Sequence, residues 1–151
     1  MITRRCMFGL PLVVVAFSRG SARADGDSIL VLKTSGCGCC VGWIEHLEQA
    51  GFIVESKDLP NGLLMQEKYA AGLKPGLTAC HTGKIDGYVV EGHVPAAEIR
   101  RLLNERPDAI GLAVPNMPVG SPGMEFGTPE PYDVLLVHRD GTSTVYARYP
   151  G

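Results

Sequence analysis

The sequence predicts an α/β fold: a mixed sheet with flanking helices, extended at the C-terminus by a loop and a β-hairpin. Three observations carry this expectation. Strand-like and helix-like runs alternate from residue 28 to residue 105. The first strand–helix–strand passage demands a parallel strand pair. Near the end of the chain, two strand-like runs flank Arg139-Asp140-Gly141, a hairpin turn signal.

The elements follow in order. Ser28 to Thr34 is a strand with the continuous apolar centre of a buried one. Ser35 to Gly38 turns the chain. Residues 39–50 carry helical periodicity, with Trp43, Ile44, Leu47 and Ala50 on one face and Glu45, Glu48 and Gln49 on the other. Gly51 is a natural helix stop. Phe52 to Lys57 is a second strand, and 62–71 a second helix with Leu63, Leu64 and Tyr69 directed inward. Strands are expected at 77–82 and 87–91, joined through Gly83 to Asp86. Pro95 suits a first helical turn, and 96–105 follows as a helix burying Ile99, Leu102 and Leu103. Residues 106–131 are rich in Pro and Gly and are expected to form an ordered loop anchored by Leu112, Val114 and Val119. Strands at 132–137 and 142–148 complete the chain. The order β-α-β-α-β-β-α, with a cysteine-rich turn after the first strand, is that of a thioredoxin or glutaredoxin domain.

Residues 1–24 read as an address. Arg4-Arg5 precedes a mostly apolar run from Cys6 to Phe17, and Ala22-Arg23-Ala24 is an A-x-A cleavage pattern. The run is shorter than the ~20 residues a bilayer span needs. The double arginine resembles a twin-arginine export signal. The expectation is a signal peptide over 1–24, an exported, periplasmic protein, and one domain over 25–151 that does not span a membrane. Cleavage would leave 10 basic against 16 acidic residues, a net charge of about −6. An acidic domain without a basic run is a poor nucleic-acid binder. Dinucleotide, Walker, G-x-S-x-G and H-E-x-x-H patterns are absent.

The chemistry-bearing residues centre on Cys37-Gly38-Cys39-Cys40. A strand-to-helix turn aims backbone N–H groups and the positive helix end at its occupants. Thiols held there lose their protons readily, and thiolates attack disulfides and bind soft metals. Cys37 and Cys40 form a C-x-x-C pair, the candidate catalytic residues of a redox reaction. Cys39 inserts a third thiol, which dithiol chemistry does not need but a soft metal does; the plain alternative is a buried structural cysteine. Cys80 falls where the segment entering the third strand of such a domain packs against the reactive turn. It is expected to face Cys37 directly and supply a fourth sulfur, unless it is simply a buried strand cysteine. His81 alternates to the opposite face if the strand is regular. His93, in Glu91-Gly92-His93-Val94-Pro95, is an imidazole candidate at a strand–helix junction. Met117 and Met124 are thioether candidates or loop packing residues. His46 reads as structural, and His138 as exposed and uninvolved.

These motifs resemble the exported, thioredoxin-like CopG copper-resistance family. The resemblance is carried by Cys37-Gly38-Cys39-Cys40 with Trp43 and His46-Leu47, by Cys80-His81-Thr82, by 86–95, and by 111–125. It implies a periplasmic protein that binds several copper ions on its cysteines, helped by histidine, and that interconverts Cu(I) and Cu(II) in copper detoxification. It implies ligand roles for Cys37, Cys39, Cys40, Cys80 and His93, while His81, Met117 and Met124 match family motifs. Loading requires reduced thiols, so an electron donor is implied, as is a copper recipient such as a periplasmic efflux or chaperone protein. Two rival expectations stand beside this one: a thiol–disulfide oxidoreductase, and a disulfide-stabilised adaptor without chemistry.

Overall fold

A computed structural model of the protein describes residues 27–151; the expected signal peptide lies outside them. The elements are β1 (Ser28–Lys33), α1 (Gly38–Gln49), β2 (Ile53–Asp58), α2 (Asn61–Ala70), a 3-10 turn (Pro75–Leu77), β3 (His81–Ile85), β4 (Tyr88–Gly92), α3 (Ala96–Glu105), β5 (Gly111–Val114), β6 (Tyr132–Val137) and β7 (Ser143–Tyr149). They build one seven-stranded sheet in the order β2-β1-β3-β4-β5-β6-β7. The β1–β2 and β4–β5 pairs are parallel, and the remaining pairs are antiparallel. β2-β1-β3-β4 with α1 and α3 is the thioredoxin-like unit. Among the described residues, no helix is long and apolar enough to cross a membrane.

Trp43 and Leu47 of α1 and Ile99 and Leu102 of α3 pack on Ile29, Val31, Val90, Leu112 and Val114. Burying Leu47 alone contributes about 1.5–3 kcal/mol. Strand alternation sends Val89 and Ala113 to the other face, where they join Leu73 and Val137 in a smaller cluster.

Three expectations need correction. The third strand starts at His81, not residue 77, because Pro75–Leu77 forms the 3-10 turn. The connection to β4 is therefore the two-residue turn Asp86-Gly87, both with positive φ (47° and 84°), the signature of a type I′ hairpin. Gly83 lies inside β3, where a Cβ would stand 2.8 Å from Ile29 Cδ1 and 3.3 Å from Trp43. The expected loop over 106–131 contains β5, four buried residues between β4 and β6. It joins the C-terminal hairpin to the main sheet. In α2, Leu64 is buried as expected, but Leu63 and Tyr69 are about half exposed and Lys68 takes the inward position.

Candidate metal centre

Sheet register brings four separate segments to one edge. Lys33 at the end of β1 lies across from His81 at the start of β3. Thr82 pairs with Glu91, and Gly92 with Val114. The turn after β1, the entry to β3, the exit from β4 and the loop after β5 therefore meet outside the same strand ends.

Cys37 occupies the N-cap of α1, and no side chain caps the first turn. An α-helix leaves the N–H groups of its first turn without partners inside the helix, and the positive end of α1 begins at Cys37. Cys37 and Cys40 are joined in a disulfide, and Cys39 and Cys80 are free. Cys39 Sγ lies 3.6 Å from Cys37 Sγ and 3.8 Å from Cys80 Sγ. The expected partner of Cys80 was Cys37; the sulfur it meets in hydrogen-bond range is Cys39. Sγ atoms of Cys37, Cys39, Cys40 and Cys80 all fall within 4.8 Å of one another, as do the nearest donor atoms of Cys80, His81 and His93. Cys80 belongs to both groups.

His93 sits at the centre of a tight turn closed by Val94 N–H to Gly92 O at 2.9 Å. Its Nδ1–H donates to Pro122 O at 2.7 Å, so Nε2 carries the free lone pair, 3.2 Å from Cys80 Sγ. Cys80 precedes the regular strand, so alternation does not separate it from His81. His81 Nδ1 stands 3.3 Å from Cys80 Sγ, while Nε2 has no hydrogen-bond partner in its buried position. The ring rests against Trp43 and meets His93 edge-on, with centroids 4.2 and 5.0 Å away. Trp43 is held by its own bond, Nε1–H to Val94 O at 2.8 Å.

Burial dominates the electrostatics. It pushes the Cys80 thiol up to about 12, with Cys39 adding to the rise. It holds His93 below the ordinary imidazole range, opposed by the bond to Pro122 and by Glu125. It drives His81 well below that range, helped by His93 and Lys68. A protonated thiol beside two neutral imidazoles is self-consistent: Cys80 S–H donates to a ring nitrogen. A soft cation replacing that proton would meet the same lone pairs.

Met117 and Met124 lie half-buried on the loop after β5. Gly123, beside Met124, is pressed on α1, where a Cβ would stand 2.6 Å from both Cys39 O and Trp43 N. His46 Nε2 accepts the Ala96 N–H at the start of α3 at 3.1 Å, the structural role expected of it. His138 pairs with Thr144 Oγ1 on the hairpin.

Sequence reasoning missed a buried polar cluster behind the thiols. Lys68 Nζ lies 2.5 Å from Glu91 Oε1 and 2.8 Å from Thr82 Oγ1. The signal was present: a carboxylate inside the apolar strand Tyr88-Val89-Val90-Glu91-Gly92 demands a partner.

Fold and site together define a thioredoxin-like protein whose reactive turn has become a thiol-and-imidazole cluster suited to a soft metal. A family model described as "Protein of unknown function, DUF411" matches residues 77–124. Two solved structures, titled "Copper resistance protein copG- Form 1" and "Copper resistance protein copG- Form 2", are each 46% identical to the chain. Their TM-scores are 0.77 and 0.76, and each match covers 83% of this chain and 99% of that one. No curated protein matches the chain. The chain belongs to the CopG copper-resistance family.

Proposed function

We propose that this is a periplasmic protein of copper resistance that binds Cu(I) through Cys37, Cys39, Cys40 and Cys80, with His93 completing the set. His81, and Met117 and Met124 from the neighbouring loop, are further donors. The observation that carries the reading is the convergence at Cys80. A sulfur 41 residues from Cys39 in sequence lies 3.8 Å from it and 3.2 Å from a bare imidazole nitrogen. Thiolate sulfur and imidazole favour Cu(I), and a bridging sulfur lets few residues hold several ions.

The same residues support interconversion of Cu(I) and Cu(II). When Cys37 and Cys40 close their disulfide, two thiols release two protons and two electrons, which reduce two Cu(II) to Cu(I). A thiol donor must then reopen the disulfide. The pair cannot ligate while joined, so disulfide formation and copper binding by these two sulfurs exclude each other.

Anaerobic titration of the reduced domain against a chromogenic Cu(I) chelator tests the reading. Tight binding that Cys80→Ser and Cys39→Ser each weaken is expected; no Cu(I) taken from the chelator refutes it. The Cys37–Cys40 disulfide at the head of α1 favours a second reading, thiol–disulfide exchange on protein substrates. That reading requires disulfide-reductase activity that survives both serine substitutions.

A further inference from the structure

Glu91 and Lys68 are 0% and 1% exposed, and every polar atom of the pair is engaged with its neighbours. Lys68 Nζ donates to Glu91 Oε1 and to Thr82 Oγ1. The Thr82 hydroxyl donates to Glu91 Oε2 at 2.6 Å. The fourth bond leaves the triad: Ala79 N–H donates to Glu91 Oε1 at 2.6 Å. Stability alone does not account for such a cluster, because a well-packed apolar pair in place of a buried ion pair is often neutral or stabilising. Apolar packing cannot, however, replace a carboxylate oxygen that accepts a backbone N–H.

Ala79 is the residue before Cys80. Its Cβ also sits 2.7 Å from the point a Cβ on Gly92 would occupy, so it is seated on the residue before His93. Glu91 is itself two residues from His93 on β4. One carboxylate thus ties the approach to Cys80 onto the strand that delivers His93, and the two side chains meet at 3.2 Å beyond it.

We propose that Glu91 is a positioning residue for the metal centre: its carboxylate, held by Lys68 and Thr82, fixes the Ala79–Cys80 backbone so that Cys80 Sγ stands between Cys39 and His93. It acts through the main chain and touches no sulfur. The role rests on the reading of Cys80 as a working thiol of the copper site.

Two double variants separate positioning from folding. Lys68→Met with Glu91→Gln removes both charges but keeps an oxygen for the Ala79 N–H. Lys68→Met with Glu91→Leu removes the charges and the acceptor together. In metal-free protein with the Cys37–Cys40 disulfide intact, dibromobimane cross-linking reads the approach of Cys39 to Cys80. The glutamine variant is expected to cross-link at the wild-type rate. The leucine variant, at a matched unfolding midpoint, is expected to cross-link at least about tenfold more slowly and to bind Cu(I) about 10–100-fold more weakly, the usual loss when an outer partner of a metal ligand is removed. A leucine variant that cross-links as the wild type does overturns the proposal. Hydrogen exchange in the wild type gives a second measurement independent of variant folding: the Ala79 amide is expected to be protected, and exchange at the rate of an unstructured peptide also overturns it. Cross-linking and exchange need no metal, so the two failures are distinguishable: a wild type that takes up no Cu(I) refutes the copper reading and with it the metal-centre role, whereas wild-type cross-linking in the leucine variant refutes the hold of Glu91 on Cys80 whether or not copper binds.

Discussion

Gly123→Ala is a sharp test of how the loop after β5 is held on the site. Gly123 has φ +84°, and a Cβ there would stand 2.6 Å from Cys39 O, 2.6 Å from Trp43 N and 3.1 Å from Gly42 C. Ordinary contact begins at 3.4 Å, so the loop must retreat by about 0.8 Å from helix backbone, which cannot rotate aside as a side chain does. The left-handed conformation costs a residue with a Cβ about 1–2 kcal/mol, and overpacking of this kind about 1–3 kcal/mol. Together they predict a loss of about 2–5 kcal/mol, a large part of the ~5–15 kcal/mol typical of a domain. Denaturant unfolding of metal-free protein in one disulfide state measures it. Two glycines calibrate the result. Gly127 has φ +93° but its Cβ would meet only Val119 Cγ1 at 3.6 Å, so Gly127→Ala carries the conformational cost alone, about 1–2 kcal/mol. Gly38 has no positive φ and nothing within 4 Å, so Gly38→Ala is neutral or stabilising by up to about 1 kcal/mol. The displacement also carries Pro122 away from His93 Nδ1, so Cu(I) affinity falls in Gly123→Ala and not in Gly127→Ala. A Gly123→Ala protein within about 0.5 kcal/mol of wild type, the range of an unremarkable surface change, refutes the reasoning.

Three further outcomes follow from burial. With the thiol of Cys80 raised to about 12 from an ordinary 9.0, its thiolate fraction near neutral pH is about a thousandfold below that of a free cysteine. Alkylation of Cys80 in metal-free protein should therefore be slow and still rising above pH ~10, where a free cysteine has levelled off; a plateau there contradicts the placement. Lys68→Met leaves the Glu91 carboxylate buried without its cation and should cost about 3–5 kcal/mol in chemical unfolding. A loss below about 1 kcal/mol would mean that water reaches the carboxylate. Burial holds His46, His81 and His93 below the ordinary 6.5, so they stay neutral in the native state while the unfolded chain takes up protons. The stability this contributes is complete above 6.5 and is lost as pH falls below it, so the unfolding midpoint of metal-free protein should drop between about pH 7 and about pH 5. A flat midpoint across that window would show these imidazoles to be solvated.

The boundaries of β1 and α1 were legible to within a residue because each is long enough to display its own period: an apolar run, and an apolar face every third or fourth position. The cysteine turn between them was legible for the same reason. β5 was not, since four residues among prolines and glycines are too few to establish a period. β3 was misplaced because Leu77 to Thr82 is as apolar as a strand, whereas Pro75 and the register against β1 decide where pairing begins. His81 was judged by an alternation that does not apply to Cys80, which lies just outside the ladder.

The α/β order, the helix-borne C-x-C-C turn and the donor types a soft cation would want are legible in the residue pattern, because these depend on neighbours a few positions apart. Long-range packing brings Cys80 to Cys39 and His93, lets Pro122 select the tautomer of His93, and sets Glu91 and Lys68 behind them. Those contacts join residues 23 to 41 places apart, or, like the 13-residue step from Cys80 to His93, depend on how β3 pairs with β4. Sheet register and the packing of one backbone on another set them, and no local pattern encodes either.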